Sequence, residues 1–127
     1  MGSIKDSLTF DDVSLVPQQS SVVPNETITK ITLHKKLNLN IPLISSAMDT
    51  VTESKMAIAI AKMGGIGVVH RNLSADMQVS EIKKVKKANF LVGAAIGVNN
   101  NDLDRAKKLI EAKVDMLSLI HISEPTR

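Results

Sequence analysis

Apolar and polar residues follow two distinct patterns along this chain. Short apolar runs begin near residues 42, 66, 91 and 114, and each of the first three precedes a longer segment with apolar residues at helical spacing. The short runs indicate buried strands and the longer segments indicate amphipathic helices. The repeat of about 24 residues is typical of βα units. The pattern therefore predicts an α/β fold with parallel strands joined by helical crossovers.

Two sheet closures fit this repeat, an open doubly wound sheet and a (β/α)8 TIM barrel. A complete barrel needs about 250 residues, and this chain has 127. The spacing alone therefore leaves both closures open, and these residues could supply only half of a barrel.

Residues 41–53 are the stretch on which the chemistry should depend. They begin as an apolar run, continue through small and polar residues, and end in Thr50-Val51-Thr52-Glu53. That Thr-x-x-Glu pattern predicts a capping box at the start of a helix, preceded by a buried strand. Ser46, Met48 and Asp49 would then lie at the carboxyl end of the strand, where parallel α/β folds bind ligands.

The later units carry their own boundary signals. Gly64-Gly65 allows the left-handed backbone that commonly ends a helix, and residues 66–70 predict the next buried strand. Ser74 is predicted to cap a helix that runs through Lys87. The helix after the third strand is predicted to bury Leu103, Ala106, Leu109 and Ile110.

Composition limits the classes of function. Aromatic residues make up 2% of the chain and the net charge is only +3, so stacking on nucleic-acid bases has almost no side chains to use. No apolar run approaches a membrane span, and no signal-peptide pattern opens the sequence. These features predict a cytoplasmic protein that binds neither nucleic acid nor membranes. Cysteine is absent, which excludes disulfides and thiol nucleophiles within these residues.

Four ordered motifs carry a specific resemblance to a known family. In chain order they are LTFDDV (8–13), SSAMDTVTE (45–53), GGIGVVHRN (64–72) and GAAIGV (93–98). Over about residues 7–116 the chain resembles the inosine-5′-monophosphate (IMP) dehydrogenase family. The resemblance implies a (β/α)8 TIM barrel of which this chain supplies the N-terminal half. Most members insert CBS modules between the second helix and the third strand, whereas here a short link joins them directly, so we expect no regulation through that module.

The resemblance implies a reaction, the oxidation of IMP to xanthosine monophosphate in guanine nucleotide biosynthesis, with NAD as hydride acceptor. In the family a cysteine attacks the purine and water hydrolyses the covalent intermediate, which splits one difficult step into two. A potassium ion commonly orders the cysteine loop, and the enzyme is expected to be a homotetramer. The cysteine loop belongs to the second half of the barrel, so the chain as given is expected to be inactive.

The resemblance also implies roles for individual residues, none of them catalytic or metal-binding. Ser46 and Met48 match positions that line the nucleotide site, with a hydroxyl for ribose or phosphate and a thioether against the base. The alternatives are a turn residue for Ser46 and core packing for Met48. Asp49 either contacts the ligand or is a carboxylate in the first turn of the helix, where the helix dipole stabilises a negative charge. The candidate rim is completed by three residues after the second strand, His70, Arg71 and Asn72.

The last residues depart from the family. The fourth strand should run into an Asp, and Ile120 stands there instead. Residues 117–127 match, residue for residue, one reading frame of a transposon-end adapter used to prepare sequencing libraries. We therefore expect three segments: a leader at 1–40 with one or two short strands, the barrel strands and helices at 41–116, and a non-native adapter-encoded tail at 117–127. The genomic sequence beyond codon 116 tests this expectation.

Two other functions stay open. A GMP reductase-type barrel is a sister of this family, but its first motif normally has Ala-Asn in place of Ser45-Ser46 and lacks Thr52-Glu53. The second alternative is a non-catalytic half-barrel that binds purine nucleotides, which predicts cooperative unfolding shifted by IMP. A half-barrel leaves two sheet edges open, so aggregation of the isolated chain is expected.

Overall fold

The fold follows the predicted alternation of strands and helices. A computed structural model describes residues 8–34 and 37–119, apart from the side chain at position 100. Its elements are β1 (Ile31–His34), β2 (Leu37–Leu39), β3 (Ile44–Ser45), α1 (Ser54–Lys62), β4 (Ile66–Val69), α2 (Ala75–Lys87), β5 (Val92–Ile96), α3 (Asn100–Glu111) and β6 (Met116–Leu119), with a 3-10 turn at Pro24–Glu26.

Strands β3 to β6 form one parallel sheet in the order β3-β4-β5-β6. Each crossover therefore joins neighbouring strands, and the strand order does not reverse within this sheet. A doubly wound sheet has such a reversal, whereas a (β/α)8 barrel adds its strands in sequence. The chain thus has the α/β architecture of part of a TIM barrel, as predicted.

Two apolar clusters hold the sheet in place. The larger one packs helices against one face of the sheet, and its buried members are Ala57, Val69, Ile82, Val85, Val92, Ala94, Leu109 and Ala112. The smaller one joins the β1–β2 hairpin to the first residue of β4, through Leu37, Leu39 and Ile66. The hairpin therefore lies at the amino-terminal ends of the strands, which leaves the opposite edge free for a site.

The prediction for residues 41–53 is wrong in two respects. β3 has only two residues and is an edge strand in the described sheet, so Leu43 and Ile44 are exposed rather than buried. The capping box does not form, because α1 begins at Ser54 and its N-cap residue, Glu53, makes no side-chain capping bond. The Ser54 N–H instead donates to the carboxylate of Glu81 on α2, at 2.8 Å.

The prediction for α3 is half correct. Leu109 is buried and Ala106 is partly buried, but Leu103 and Ile110 are 64% and 61% exposed. Among the described residues α3 packs against α2 and β5, so the face that carries Leu103 and Ile110 has no described element over it.

The link between α2 and β5 is short and ordered. The backbone N–H groups of Ala88, Asn89 and Phe90 all bond to the last turn of α2, and Asn89 adopts a left-handed conformation with φ 59°. Lys86 at the end of α2 pairs with Asp115 at 2.8 Å, and the Asp115 carboxylate also accepts the Val92 N–H at 2.9 Å. These contacts join the end of α2 directly to the start of β5.

Strand β6 crosses the predicted boundary at residue 117. Leu117, Ser118 and Leu119 pair in register with Ala94, Ala95 and Ile96 of β5, while residues 120–127 lie outside the described part of the chain. The adapter origin of residues 117–127 stays a prediction. Within the described residues, no helix has the length and apolar character needed to cross a membrane.

Candidate functional site

Three connections meet at the carboxyl edge of the sheet. They are residues 46–53 after β3, residues 70–74 after β4, and residues 97–99 after β5. Because the strands are parallel and adjacent, the side chains of these connections share one rim. All six predicted site residues lie in the first two connections.

The first connection presents Ser46 and Met48 to the outside. Both residues are exposed, and 55% of Met48 is accessible, so Met48 is not part of the core formed by the described residues. Thr52 is fully buried and holds the connection in shape. Its hydroxyl donates to the Ser46 carbonyl oxygen at 2.6 Å and lies 2.9 Å from the Ser45 hydroxyl. Ser46 and Met48 therefore lie on a turn whose shape is held by the buried Thr52 hydroxyl.

Asp49 is connected to the next strand rather than to its own helix. Its carboxylate accepts a hydrogen bond from the Asn72 side-chain amide at 2.9 Å. Because α1 begins five residues later, at Ser54, Asp49 is not a first-turn carboxylate, and that alternative is wrong. Two predicted rim residues are thus in direct contact across two connections.

His70 is buried, with only 3% of the residue exposed, and it joins the same two connections. Its Nδ1 accepts the Asn72 N–H at 3.1 Å, and its Nε2 lies 3.4 Å from a Glu53 carboxylate oxygen. A nitrogen that accepts a hydrogen bond carries no proton, so these contacts assign the proton of the neutral ring to Nε2. The ring therefore points toward Glu53, between the connections, and not into open solvent.

Arg71 extends toward the third connection. Its guanidinium lies 3.4 Å from the Asp102 carboxylate and passes directly over Gly97. A side chain at position 97 would displace the ends of the Arg71 and Asp102 side chains from this contact. A polar cleft of about 360 Å³ opens beside it, lined by Arg71, Asn72, Asn99, Asn101, Asp102 and Arg105.

Sequence reasoning missed the buried polar residues behind this rim. Gln78 on α2 is fully buried, and it bonds to β4, to β5 and to Arg105 of α3. A signal was present, because Gln78 shares the inner face of α2 with Ala75, Ile82 and Val85 at helical spacing. A polar residue within an apolar stripe marks a buried hydrogen-bonding site.

One carboxylate near the rim has a shifted pKa. Burial acts to raise the pKa of Glu81, but hydrogen bonds from Lys84 and Ser54 outweigh it, so the pKa lies below its ordinary value of 4.5. Glu81 is therefore ionised at neutral pH. Its charge faces the first turn of α1, where a negative group is favoured by the helix dipole.

The geometry defines a class of protein, an α/β barrel segment with a polar rim at the carboxyl ends of its strands. A family model described as IMP dehydrogenase / GMP reductase domain matches residues 7–124. The chain belongs to this family.

Three similar bacterial proteins share one name, inosine-5′-monophosphate dehydrogenase. The chain is 52% identical over 109 residues to the inosine-5′-monophosphate dehydrogenase of Borreliella burgdorferi, which covers 86% of this chain and 26% of that protein. It is 56% identical over 85 residues to the protein of that name from Aquifex aeolicus, covering 67% of this chain and 17% of the relative. It is 54% identical over 84 residues to the protein of that name from Staphylococcus aureus, covering 66% of this chain and 17% of the relative. The chain thus spans about a quarter or less of these relatives.

Proposed function

We propose that this chain forms the first βα units of an NAD-dependent enzyme that oxidises IMP to xanthosine monophosphate. The observation that carries the proposal is the identity of 52–56% to relatives named inosine-5′-monophosphate dehydrogenase. The family description also names GMP reductase. The Ser45-Ser46 and Thr52-Glu53 pairs favour the dehydrogenase, because the reductase motif normally differs at both.

Ser46 and Met48 are proposed to hold the nucleotide. A hydroxyl can donate to or accept from a ribose hydroxyl and can donate to a phosphate oxygen, and a thioether makes favourable contacts with the face or edge of an aromatic base. Both side chains are exposed at the carboxyl edge, so a ligand can reach them without any core rearrangement. Asp49, His70, Arg71 and Asn72 would complete the rim.

NAD and potassium enter the proposal differently. The hydroxyl, amide and guanidinium groups of the rim suit the ribose and phosphate groups of a nucleotide, and NAD, when bound, would accept the hydride. Potassium is proposed on family grounds alone: it orders the cysteine loop in the family, so its site is proposed to lie with that loop, outside this chain.

The nucleophile is also proposed to lie elsewhere. The sequence contains no cysteine, so attack on the purine would come from a cysteine loop outside this chain, and the chain alone would bind and orient without turning over. The homotetramer and the cytoplasmic location are proposed on the same family grounds.

A chimera tests the function. In it, the matched 109 residues of this chain replace their counterparts in the Borreliella burgdorferi protein. We expect the chimera to form NADH when supplied with IMP and NAD, and the isolated 127-residue chain to form none. A folded chimera without IMP-dependent NADH formation would contradict the proposal.

Single substitutions in the chimera test the site. Ser46→Ala should raise KM for IMP by about tenfold, the effect of losing a hydrogen bond worth about 1.5 kcal/mol. Ser80→Ala removes the same group from an exposed position on α2 and is the matched control, which should leave KM unchanged.

A further inference from the structure

Gln78 is a buried amide placed where the β4–β5 ladder stops. The last paired residues of the two strands are Val69 and Ala94. The Gln78 amide nitrogen donates to the carbonyl oxygens of His70 at 3.1 Å and Ala95 at 2.9 Å, and the Val69 carbonyl oxygen lies within 3.3 Å of the same nitrogen. One side-chain amide therefore bridges the carboxyl ends of two neighbouring strands.

Few other side chains can make this bridge. The amide NH₂ group has two N–H donors, and the two shortest of its three carbonyl contacts, to Ala95 and His70, reach different strand ends. A carboxylate offers only acceptors, and a methionine of similar length offers no donor. Because the site is fully buried, carbonyl groups left unpaired there could not turn to water and would be costly.

The other end of the amide holds the polar network beneath the rim. Gln78 Oε1 accepts from Arg105 Nη1 at 2.8 Å, and Arg105 Nη2 donates to the Leu73 carbonyl oxygen at 2.9 Å. The same guanidinium lies 3.6 Å from the Asp102 carboxylate, and Asp102 in turn faces Arg71. Gln78 is thus linked to residues 70–74 directly, and to residues 97–99 through Arg105 and Asp102, whose carboxylate accepts the Asn99 N–H at 3.2 Å.

We propose that Gln78 is a positioning residue for the nucleotide site. It fixes the separation of the second and third connections, and it orients Arg71 through Arg105 and Asp102. Gln78 does not touch ligand, since it is fully buried. This inference rests on the proposed function, because it requires that the rim binds IMP.

Two substitutions in the chimera remove the bridge in different ways. Gln78→Met removes both donors and the acceptor at similar volume. Gln78→Glu keeps the shape but places carboxylate oxygens against the carbonyls of His70 and Ala95. Both should raise KM for IMP roughly tenfold or more at neutral pH, because the rim shifts while the reacting groups elsewhere are unchanged.

Acidification separates positioning from bulk stability. A protonated carboxylic acid regains one O–H donor, so the KM defect of Gln78→Glu should shrink as the pH is lowered, and that of Gln78→Met should not. Ile82→Val, a buried apolar change on the same helix, is the control. It should lower Tm and leave KM for IMP unchanged.

The outcomes are distinguishable. Active Gln78 variants that lower Tm with an unchanged KM for IMP would overturn the positioning role and leave the proposed function intact. A folded unmodified chimera without turnover would remove the proposed function, and the inference with it.

Discussion

Helices α1 and α2 begin in different ways although both follow a strand of the same sheet. In α2 the cap is local, since the Ser74 hydroxyl accepts the Met77 N–H at 3.2 Å, three residues along the chain. In α1 the corresponding group is supplied by Glu81, 27 residues away, which accepts the Ser54 N–H. The first N–H of α1 is therefore capped only once α2 has packed beside it.

This difference bears on the candidate site. The connection that carries Ser46 and Met48 leads into α1, so its shape depends on tertiary contacts: Thr52 beneath it, His70 and Asn72 beside it, and Glu81 at its end. The connection into α2 has its own cap. We infer that the turn that carries Ser46 and Met48 is ordered by its neighbours rather than by its own sequence.

The largest expected effect comes from Thr52. Thr52→Val removes the buried hydroxyl that makes two hydrogen bonds, to the Ser46 carbonyl and to the Ser45 hydroxyl, each worth about 0.5–1.5 kcal/mol. The free energy of unfolding of the chain should fall by about 1–3 kcal/mol, measured by urea denaturation. Thr52→Ser keeps the hydroxyl and should lose less. Equal stability of Thr52→Val and the unmodified chain would refute the role of this hydroxyl.

Removing the two caps compares them directly. Glu81→Ala should cost about 1.5 kcal/mol, since the lost bond involves a charged acceptor, and Ser74→Ala about 1 kcal/mol. Amide hydrogen exchange gives the location of each effect. Glu81→Ala should speed exchange at Ser54, and Ser74→Ala at Met77. If Glu81→Ala left Ser54 protected, α1 would have a local cap after all.

The smallest expected effect is the dependence on pH. Because the pKa of Glu81 is lower in the folded chain than its ordinary value of 4.5, its contribution is fully present above that value and is lost as pH falls through the folded pKa. Glu81→Gln should therefore flatten the acid limb of stability against pH. The pKa of Asp76 is also lowered, by a hydrogen bond from Lys108 and the charge of that residue. Asp76 is fully exposed, so Asp76→Asn should leave that limb nearly unchanged.

Local signals in the sequence were sufficient for much of the fold. The apolar runs predicted the parallel strands, Ser74 predicted the start of α2, and Gly64, with φ 97°, predicted the end of α1. Each of these features depends on residues within a few positions of one another. The prediction for residues 41–53 failed for the opposite reason. The groups expected to form the local capping box lie among partners from distant parts of the chain, in β3, after β4 and on α2.

The candidate site was predicted only in outline. The residues after each strand were correctly expected at one edge, because parallel strands bring their carboxyl ends together. The contact of Arg71 with Gly97 joins positions 26 residues apart, and that of Gln78 with Ala95 joins positions 17 residues apart. Such pairs depend on strand register and helix packing, which periodicity alone does not provide.

The most direct test of nucleotide binding at this rim is a crystal structure of the chimera with IMP bound. We expect the nucleotide at the carboxyl edge of β3 and β4, with the purine in van der Waals contact with the Met48 thioether. The Ser46 hydroxyl should lie within hydrogen-bonding distance of the ribose or phosphate. IMP bound at a place where it touches neither Ser46 nor Met48 would contradict the central claim.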